Sequence, residues 1–414
     1  MYLLTPVILY RLAVRGLKYR GYLNRWRERF GFFPHPEIRN SIWLHAVSVG
    51  EVNAALPLIK ALMQRYPDHP FVVTTVTPTG SERVRQVFGE TVFHVYLPYD
   101  LPKSIKRFLT RTQPCLAVIM ETEIWPNLFV ECHLHGIPVI VANARLSERS
   151  LRGYNPVRSL ARMAIASANY VAAQSATDAA RLIALGAAPA RLSIVGNLKF
   201  DMTVSEEIIV SGIQYRQQWG QRRPVWIAAS THEAEELPVL KAHAEVLQRF
   251  PDALLLIAPR HPERFKAVIQ VCRHFGFSTL TRSEDQLANS ACQCFVIDSM
   301  GELLRFYAAS DLAFVGGSLE SIGGHNTLEP AALAVPVIVG PHTFNFAEIT
   351  DSLLNANAAI RITQDDELGA TVVRLLSQTE ERCRYGNNAK KAFERERGAV
   401  EKTMKIVEDL IHRE

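Results

Sequence analysis

The run Ser41-Ile42-Trp43-Leu44-His45-Ala46-Val47 is apolar at odd and even positions alike. A strand with no polar face is one buried on both sides, as in a parallel sheet. Similar runs recur at Phe71 to Val76, Leu116 to Met120, Pro138 to Ala142, Tyr170 to Ala173 and Ser193 to Val195. Between them, Val52, Ala55, Leu56, Ile59, Leu62 and Met63 keep helical spacing, and Thr79-Gly80-Ser81-Glu82 reads as a capping box. Strands alternating with helices predict a doubly wound α/β domain.

Polar residues fill Asp201 to Arg223, after which a second series begins at Val225-Trp226-Ile227-Ala228-Ala229. Its further strands are expected at Leu254 to Ala258, Phe295 to Ile297, Leu312 to Val315 and Val335 to Val339, each followed by a helical pattern. Past Gln378 the pattern is wholly helical, with a last helix from about Gly398. The expected fold is therefore α/β, two facing Rossmann-like domains with a central cleft. This is the GT-B arrangement, shared by nucleotide-sugar transferases and some epimerases, so fold alone leaves the chemistry open. The expected boundaries are 1–30 for an N-terminal segment, 31–205 and 223–396 for the domains and 206–222 for a linker. Residues 397–414 form a C-terminal helix expected to cross back to the first domain.

Composition adds little to this picture except at the N-terminus. The 414 residues are 48% hydrophobic and 21% charged, as in a globular protein, and the net charge is only +5. Residues 1–30, however, carry Arg11, Arg15, Lys18, Arg20, Arg25, Arg27 and Arg29 against Glu28 alone. Ahead of that cluster lies the apolar stretch Tyr2 to Tyr10, too short to span a bilayer. An apolar head followed by a basic face is the order of a segment lying in a membrane interface beside anionic lipid, with an ordinary packed first helix as the alternative. Six cysteines show no repeated C-x-x-C spacing, so neither a disulfide framework nor a zinc site is indicated. Cys132, His133 and His135 share one predicted helix but different faces of it, so no metal is expected there.

The candidate chemistry gathers at strand ends, where open α/β sheets bind ligands. Glu51 follows the opening strand, Glu121 and Glu123 follow Leu116 to Met120, and Lys199 precedes the polar stretch. Two acids at separate strand ends can share the work of a base, burial raising the pKa of one. Each also has a plainer reading, the acids as helix-start residues and Lys199 as the surface partner of Asp201. In the second half, Gly316-Gly317-Ser318 and Gly323-Gly324-His325-Asn326-Thr327-Leu328-Glu329 suggest a phosphate cradle, although Asn326 and Glu329 also have capping-box spacing. Pro259-Arg260 and Ser299-Met300-Gly301-Glu302 end two further strands, the arginine suited to holding a phosphate. There is no G-x-x-x-x-G-K-[ST] loop and no dinucleotide fingerprint, which disfavours ATP hydrolysis and NAD chemistry.

Taken in order, Ser48-Val49-Gly50-Glu51, Thr77-Pro78-Thr79-Gly80, Glu121-Thr122-Glu123-Ile124-Trp125-Pro126-Asn127, Asn143-Ala144-Arg145-Leu146-Ser147, Pro259-Arg260-His261-Pro262 and the glycine-rich run ending in Glu329 resemble the 3-deoxy-D-manno-octulosonic acid (Kdo) transferases. The likeness runs from about Arg25 to Phe346. It implies inverting, metal-independent transfer of Kdo from CMP-Kdo to the lipid A precursor, lipid IVA, at the cytoplasmic face of the inner membrane. No cofactor beyond the donor substrate is implied, and the partners are the donor, the acceptor and anionic membrane lipid, with no nucleic acid. Glu51 would be the base, and Glu121 and Lys199 would support the transition state. Pro259, Arg260, Met300, Gly301, Glu302, Asn326, Thr327, Leu328 and Glu329 would contact CMP. Residues 31–205 would then bind the acceptor and 223–396 the donor. Thr327 departs from the proline of many relatives, which leaves the first-turn amides in place. Another GT-B transferase, a sugar-nucleotide epimerase and a silent nucleotide-binding scaffold are the alternatives; a scaffold needs neither Glu51 nor Glu121.

Overall fold

A computed structural model describes residues 10, 12, 14, 16, 17, 20–284 and 288–411. The chain divides into two compact units, Met1–Met202 with Glu396–Glu414, and Thr203–Arg395. The first holds β1 (Ser41–His45), β2 (Phe71–Thr75), β3 (Phe93–Tyr96), β4 (Pro114–Met120), β5 (Val139–Ala144), β6 (Tyr170–Ala173) and β7 (Leu192–Ile194). They form one parallel sheet in the order β3-β2-β1-β4-β5-β6-β7. Ile42 and Leu44 pack on one side with the helix Val49–Arg65, while Trp43 packs on the other against Phe108 and Phe129. That two-sided burial is why the central strands have no polar parity.

The second unit repeats the plan with β8 (Val225–Thr231), β9 (Leu254–Pro259), β10 (Thr279–Thr281), β11 (Cys294–Val296), β12 (Leu312–Val315), β13 (Val337–Val339) and β14 (Ala359–Arg361). Its parallel order is β10-β11-β9-β8-β12-β13-β14. Strands β3, β10 and β14 are not foreseen by the apolar pattern, and all three are edge strands with partly exposed residues. Half-buried edges of three or four residues lack the run that marks a central strand.

Three other expectations change. The stretch 206–222 is no open linker, because Glu206–Trp219 is a helix belonging to the second unit. Its docking face is narrow: Tyr215 stacks on Trp219 at 5.4 Å and on Phe306 at 5.3 Å. Gly212 lets the helix approach Ala308, whose Cβ would lie 2.6 Å from any added side chain. Two aromatics and a glycine in fourteen residues give little amphipathic signal. The cap expected within Thr79-Gly80-Ser81-Glu82 is instead Thr77, whose hydroxyl accepts from Gly80 N–H at 3.1 Å, with Pro78 at the first helical position.

The third concerns the basic N-terminal segment. Residues 1–9 of its apolar head, and Arg11, Arg15 and Lys18, lie outside the described residues. Arg29 is buried, over the Tyr96 ring at 4.2 Å, and donates to the Val76 carbonyl at 2.9 Å. Arg25 binds Glu28 at 2.6 Å and the His94 carbonyl at 2.9 Å. These two guanidiniums fasten the segment to the first unit rather than facing lipid, since an arginine can stack on a ring while its donors reach carbonyls. Leu17, Leu23, Trp26 and Phe32 are exposed, as is Arg27. Among the described residues no helix is long and apolar enough to cross a membrane.

The chain leaves the first unit after Asp201 and returns in the helix Ala399–Ile411, which buries Ala399, Ile406 and Val407 beside the helix Val49–Arg65. Asp201 closes the junction: its carboxylate accepts from Gly398 N–H at 2.6 Å and Val400 N–H at 2.5 Å. These are helix-start donors with no other partner in a helix. Asp201→Ala is expected to cost the first unit about 2 kcal/mol and to speed tryptic cleavage at Arg397. An unchanged urea midpoint would show that the junction holds without it.

Candidate active site

In the first sheet the chain runs outward in both directions from β1 and β4, which lie side by side. Such a switch point opens a crevice at the strands' C-terminal ends. Glu51 stands there, in the first turn of the helix Val49–Arg65 that follows β1. Its carboxylate accepts from Val47 N–H at 2.8 Å and from Ser48 Oγ at 3.1 Å. Glu121 follows β4 directly, with a left-handed backbone (φ 55°), and its carboxylate accepts from Arg145 Nε at 2.9 Å. Glu123 accepts from Trp125 Nε1 at 2.8 Å.

Burial raises the Glu51 pKa to about 7, the charges of Glu121 and Glu123 add to the effect, and the Val47 and Ser48 donors oppose it. An ordinary helix-start acid is shifted the other way by the dipole. Glu51 thus has the hydrogen bonds of a helix-start residue and the basicity of a proton acceptor working near neutrality. Burial likewise raises the Glu123 carboxyl, against the pull of its Trp125 bond.

Lys199 lies in the short helix Leu198–Asp201. That turn hangs from β5: Leu198 N–H donates to Asn143 Oδ1 at 2.9 Å, and Asn143 takes a left-handed backbone (φ 54°) at a bulge where β5 pairs β6. Asn143 is a positioning residue the sequence offered only within a string. Asp201, the plainer alternative as a partner for Lys199, is buried rather than on the surface, and its carboxylate accepts from Gly398 and Val400 N–H. Cys132 sits in the core while His133 and His135 are exposed, so these three do not meet, and no described cluster of three or more His, Cys, Asp or Glu could hold a metal.

In the second unit the predicted residues lie at or beyond the C-terminal ends of β9, β11 and β12, with one redistribution of roles. The N–H groups of Gly317, Ser318 and Leu319 do not cradle an outside phosphate. They donate at 2.7, 3.0 and 2.9 Å to the buried carboxylate of Glu235, which also accepts from His232 N–H at 3.0 Å. The nest the glycines form is filled by an anion of the chain itself. Gly316 is small because a Cβ would come within 2.8 Å of that carboxylate. Gly323 and Gly324 donate to the Gly317 carbonyl, at 3.1 and 2.6 Å.

The cap of the five-residue helix Leu328–Ala332 is Thr327, one residue later than the expected Asn326. Asn326 Oδ1 accepts from Leu328 N–H at 3.1 Å, and its amide donates to Glu329 Oε1 at 3.1 Å. Leu328 is fully buried, and the Thr327 hydroxyl is buried without a hydrogen-bond partner among the described residues, so any ligand contact at these two is through backbone. Pro259 is the buried last residue of β9, and Arg260 N–H donates to the Thr231 carbonyl of β8 at 3.0 Å. The half-buried Arg260 guanidinium makes no hydrogen bond or ion pair among the described residues. Beyond β11, Met300 is exposed and Gly301 has φ 86°. Glu302 caps the next helix, Leu303–Ala308, and binds Arg282 at 3.1 Å and Ser299 Oγ at 2.5 Å. Burial opposes its ionisation, but these partners hold its pKa below the ordinary value.

Two residues the sequence reading passed over, His232 and Glu235, come from the end of β8. The rule that selected Arg260, a polar side chain just past a strand, would have found His232. Glu235 gave no such sign, because three of its four partners lie some eighty residues away.

Against known proteins, residues 24–202 match the family model of 3-deoxy-D-manno-octulosonic-acid transferase (kdotransferase). The UDP-GlcNAc 2-epimerase from Neisseria meningitidis, solved bound to UDP-GlcNAc, superposes with a TM-score of 0.61 at 14% identity, covering 89% of this chain and 100% of that one. At that identity the likeness is one of fold, two Rossmann-like units of the GT-B class. A 3-deoxy-D-manno-octulosonic acid transferase of Bordetella pertussis is 33% identical over 431 residues, covering 97% of this chain and 98% of its own. The counterpart from Haemophilus influenzae reaches 42% over 414 residues, 99% of this chain and 96% of its own. With kinship of that depth along both units, the chain belongs to the 3-deoxy-D-manno-octulosonic acid transferase family, the Kdo glycosyltransferases of lipopolysaccharide synthesis.

Proposed function

We propose that this glycosyltransferase moves Kdo from CMP-Kdo to lipid IVA with inversion at the anomeric carbon and without a metal, Glu51 acting as the base. The observation that carries the reading is the Glu51 carboxylate at the switch point of the first sheet, held near a pKa of 7. Glu51 takes the proton of the acceptor hydroxyl as that oxygen attacks the anomeric carbon from the face opposite the phosphate. Glu121 keeps the site negative enough for Glu51 to remain basic, and Lys199 offsets anionic charge as it develops. The second unit holds the nucleotide through Pro259-Arg260, Met300 to Glu302 and Asn326 to Glu329. The N-terminal segment lies on the cytoplasmic face of the inner membrane, its exposed Leu17, Trp26 and Phe32 in the interface and Arg27 toward anionic lipid.

Incubating the purified protein with CMP-Kdo and lipid IVA and counting added sugars by mass spectrometry tests the reaction directly. No mass increment on the acceptor would reject it. Arg260→Ala is expected to weaken CMP binding by about tenfold or more. Unchanged affinity by calorimetry would remove Arg260 from the donor site.

A further inference from the structure

At the switch point of the second sheet, where β8 and β12 lie side by side, two imidazoles meet. His232 caps the helix Glu233–Arg249 after β8, and His325 comes from the glycine-rich loop after β12. Their rings stack at 5.1 Å and 3°, with the two Nε2 atoms 2.8 Å apart. At that distance one nitrogen donates a proton and the other accepts it, which places the accepting ring's own proton on Nδ1. Gly317 makes the stack possible, because a Cβ there would lie 2.9 Å from the His325 ring.

The charged and titratable groups around the pair are few. His261 packs edge-on against His232 at 5.3 Å, Arg260 adds a positive charge, and Glu235 is committed to the N–H groups of the loop. Burial, with the positive charge of Arg260, holds His325 down to about 4, and burial also lowers His232. The pair is therefore neutral at neutral pH. An anion placed beside Arg260 reverses that balance, since an opposite charge favours the protonated ring.

We propose that the His232–His325 pair takes up one proton when the donor's phosphate binds beside Arg260 and delivers it to the phosphate as the nucleotide leaves. This rests on the reading of the donor as CMP-Kdo. The bond from the anomeric carbon to the phosphate oxygen breaks, and its electron pair goes to that oxygen. The oxygen takes the proton from the imidazolium, so the nucleotide departs as a monoanionic monoester rather than a dianion. The pair returns to its neutral, singly shared proton, and the acceptor's own hydroxyl proton goes to Glu51. Two proton transfers thus flank one substitution, and solvent restores both groups.

Calorimetry of CMP binding to the full chain at pH 7.5, in buffers of different ionisation enthalpy, reads the proton directly, with cytidine as the probe lacking phosphate. The wild type is expected to take up between about half and one proton per CMP and none with cytidine. His325→Gln is expected to bind CMP with no uptake. Its affinity deficit should be about tenfold at pH 6.5 and shrink toward zero at pH 8.5, whereas a purely structural loss would be the same at both. His232→Asn, which keeps a capping side chain, should match it. CMP binding without uptake in the wild type, or equal uptake in both variants, overturns the proposal. Absence of CMP binding in the wild type would instead overturn the donor reading, and the proposal with it. Should both variants unfold, the wild-type contrast between CMP and cytidine decides.

Discussion

Replacing Glu51 by glutamine is expected to lower kcat by about 10²–10⁴-fold while leaving CMP affinity unchanged. The side chain keeps its size and an oxygen for Val47 N–H, so only the proton acceptor is lost. In the wild type the acid limb of kcat should bend near pH 7, with the rate falling about tenfold per pH unit below it, because Glu51 must be ionised to act. A rate flat from pH 5.5 to 8, or a variant with substantial turnover, would sink the assignment.

The same shift makes a prediction for stability with the opposite sign. Folding raises the Glu51 pKa from 4.5 to about 7, so between those values the folded state binds more protons than the unfolded one. Stability contributed by this group therefore falls as pH rises through that window. Above it the ionised carboxylate costs the folded unit about 3 kcal/mol. Glu51→Gln should accordingly melt higher than the wild type at pH 8, on the order of 5 °C, and no higher at pH 4. An inactive variant that is also the more stable one is the signature of a group retained for chemistry. Equal melting temperatures at pH 8 would mean that the carboxylate is not strained toward its neutral form.

Glu235→Gln is expected to be the most damaging substitution in the second unit, at about 3–5 kcal/mol. One oxygen accepts from Gly317 and His232, the other from Ser318 and Leu319. A glutamine amide turns two of those four meetings into donor against donor, at a side chain that is fully buried. The loop from Gly316 to Leu319 would lose its anchor and the His325 ring its platform. CMP affinity should fall together with the urea midpoint, unlike in His325→Gln, where binding changes with pH and stability does not. A midpoint within experimental error of the wild type would show that the loop has another support.

Much of this architecture was legible because central parallel strands leave a plain trace. Trp43 and Leu44 point to opposite faces and are both buried, so β1 could only be a strand with helices on either side. Strand ends then located Glu51, Glu121 and Arg260 without reference to tertiary contacts. The illegible parts are those decided by distant partners. Nothing local distinguishes Arg29 from Arg27, yet one lies buried on Tyr96 and the other is exposed. The glycines of Gly316-Gly317 suggested a phosphate, but the anion their loop meets is Glu235, which belongs to another helix. The helix Glu206–Trp219 was hidden because its apolar face is two aromatic rings wide.

The return of the last helix has a consequence for how the molecule is made. Residues 399–411 complete a core begun by residues 41–65, and the whole second unit is inserted between them. Domains ordinarily form during synthesis in the order they emerge. Here the second unit has all its strands outside the ribosome while the first still lacks the helix that covers Leu58 and Leu62. The unit that starts first finishes last, and a chain released after residue 395 would present one completed unit and one open hydrophobic face to the cell's chaperones.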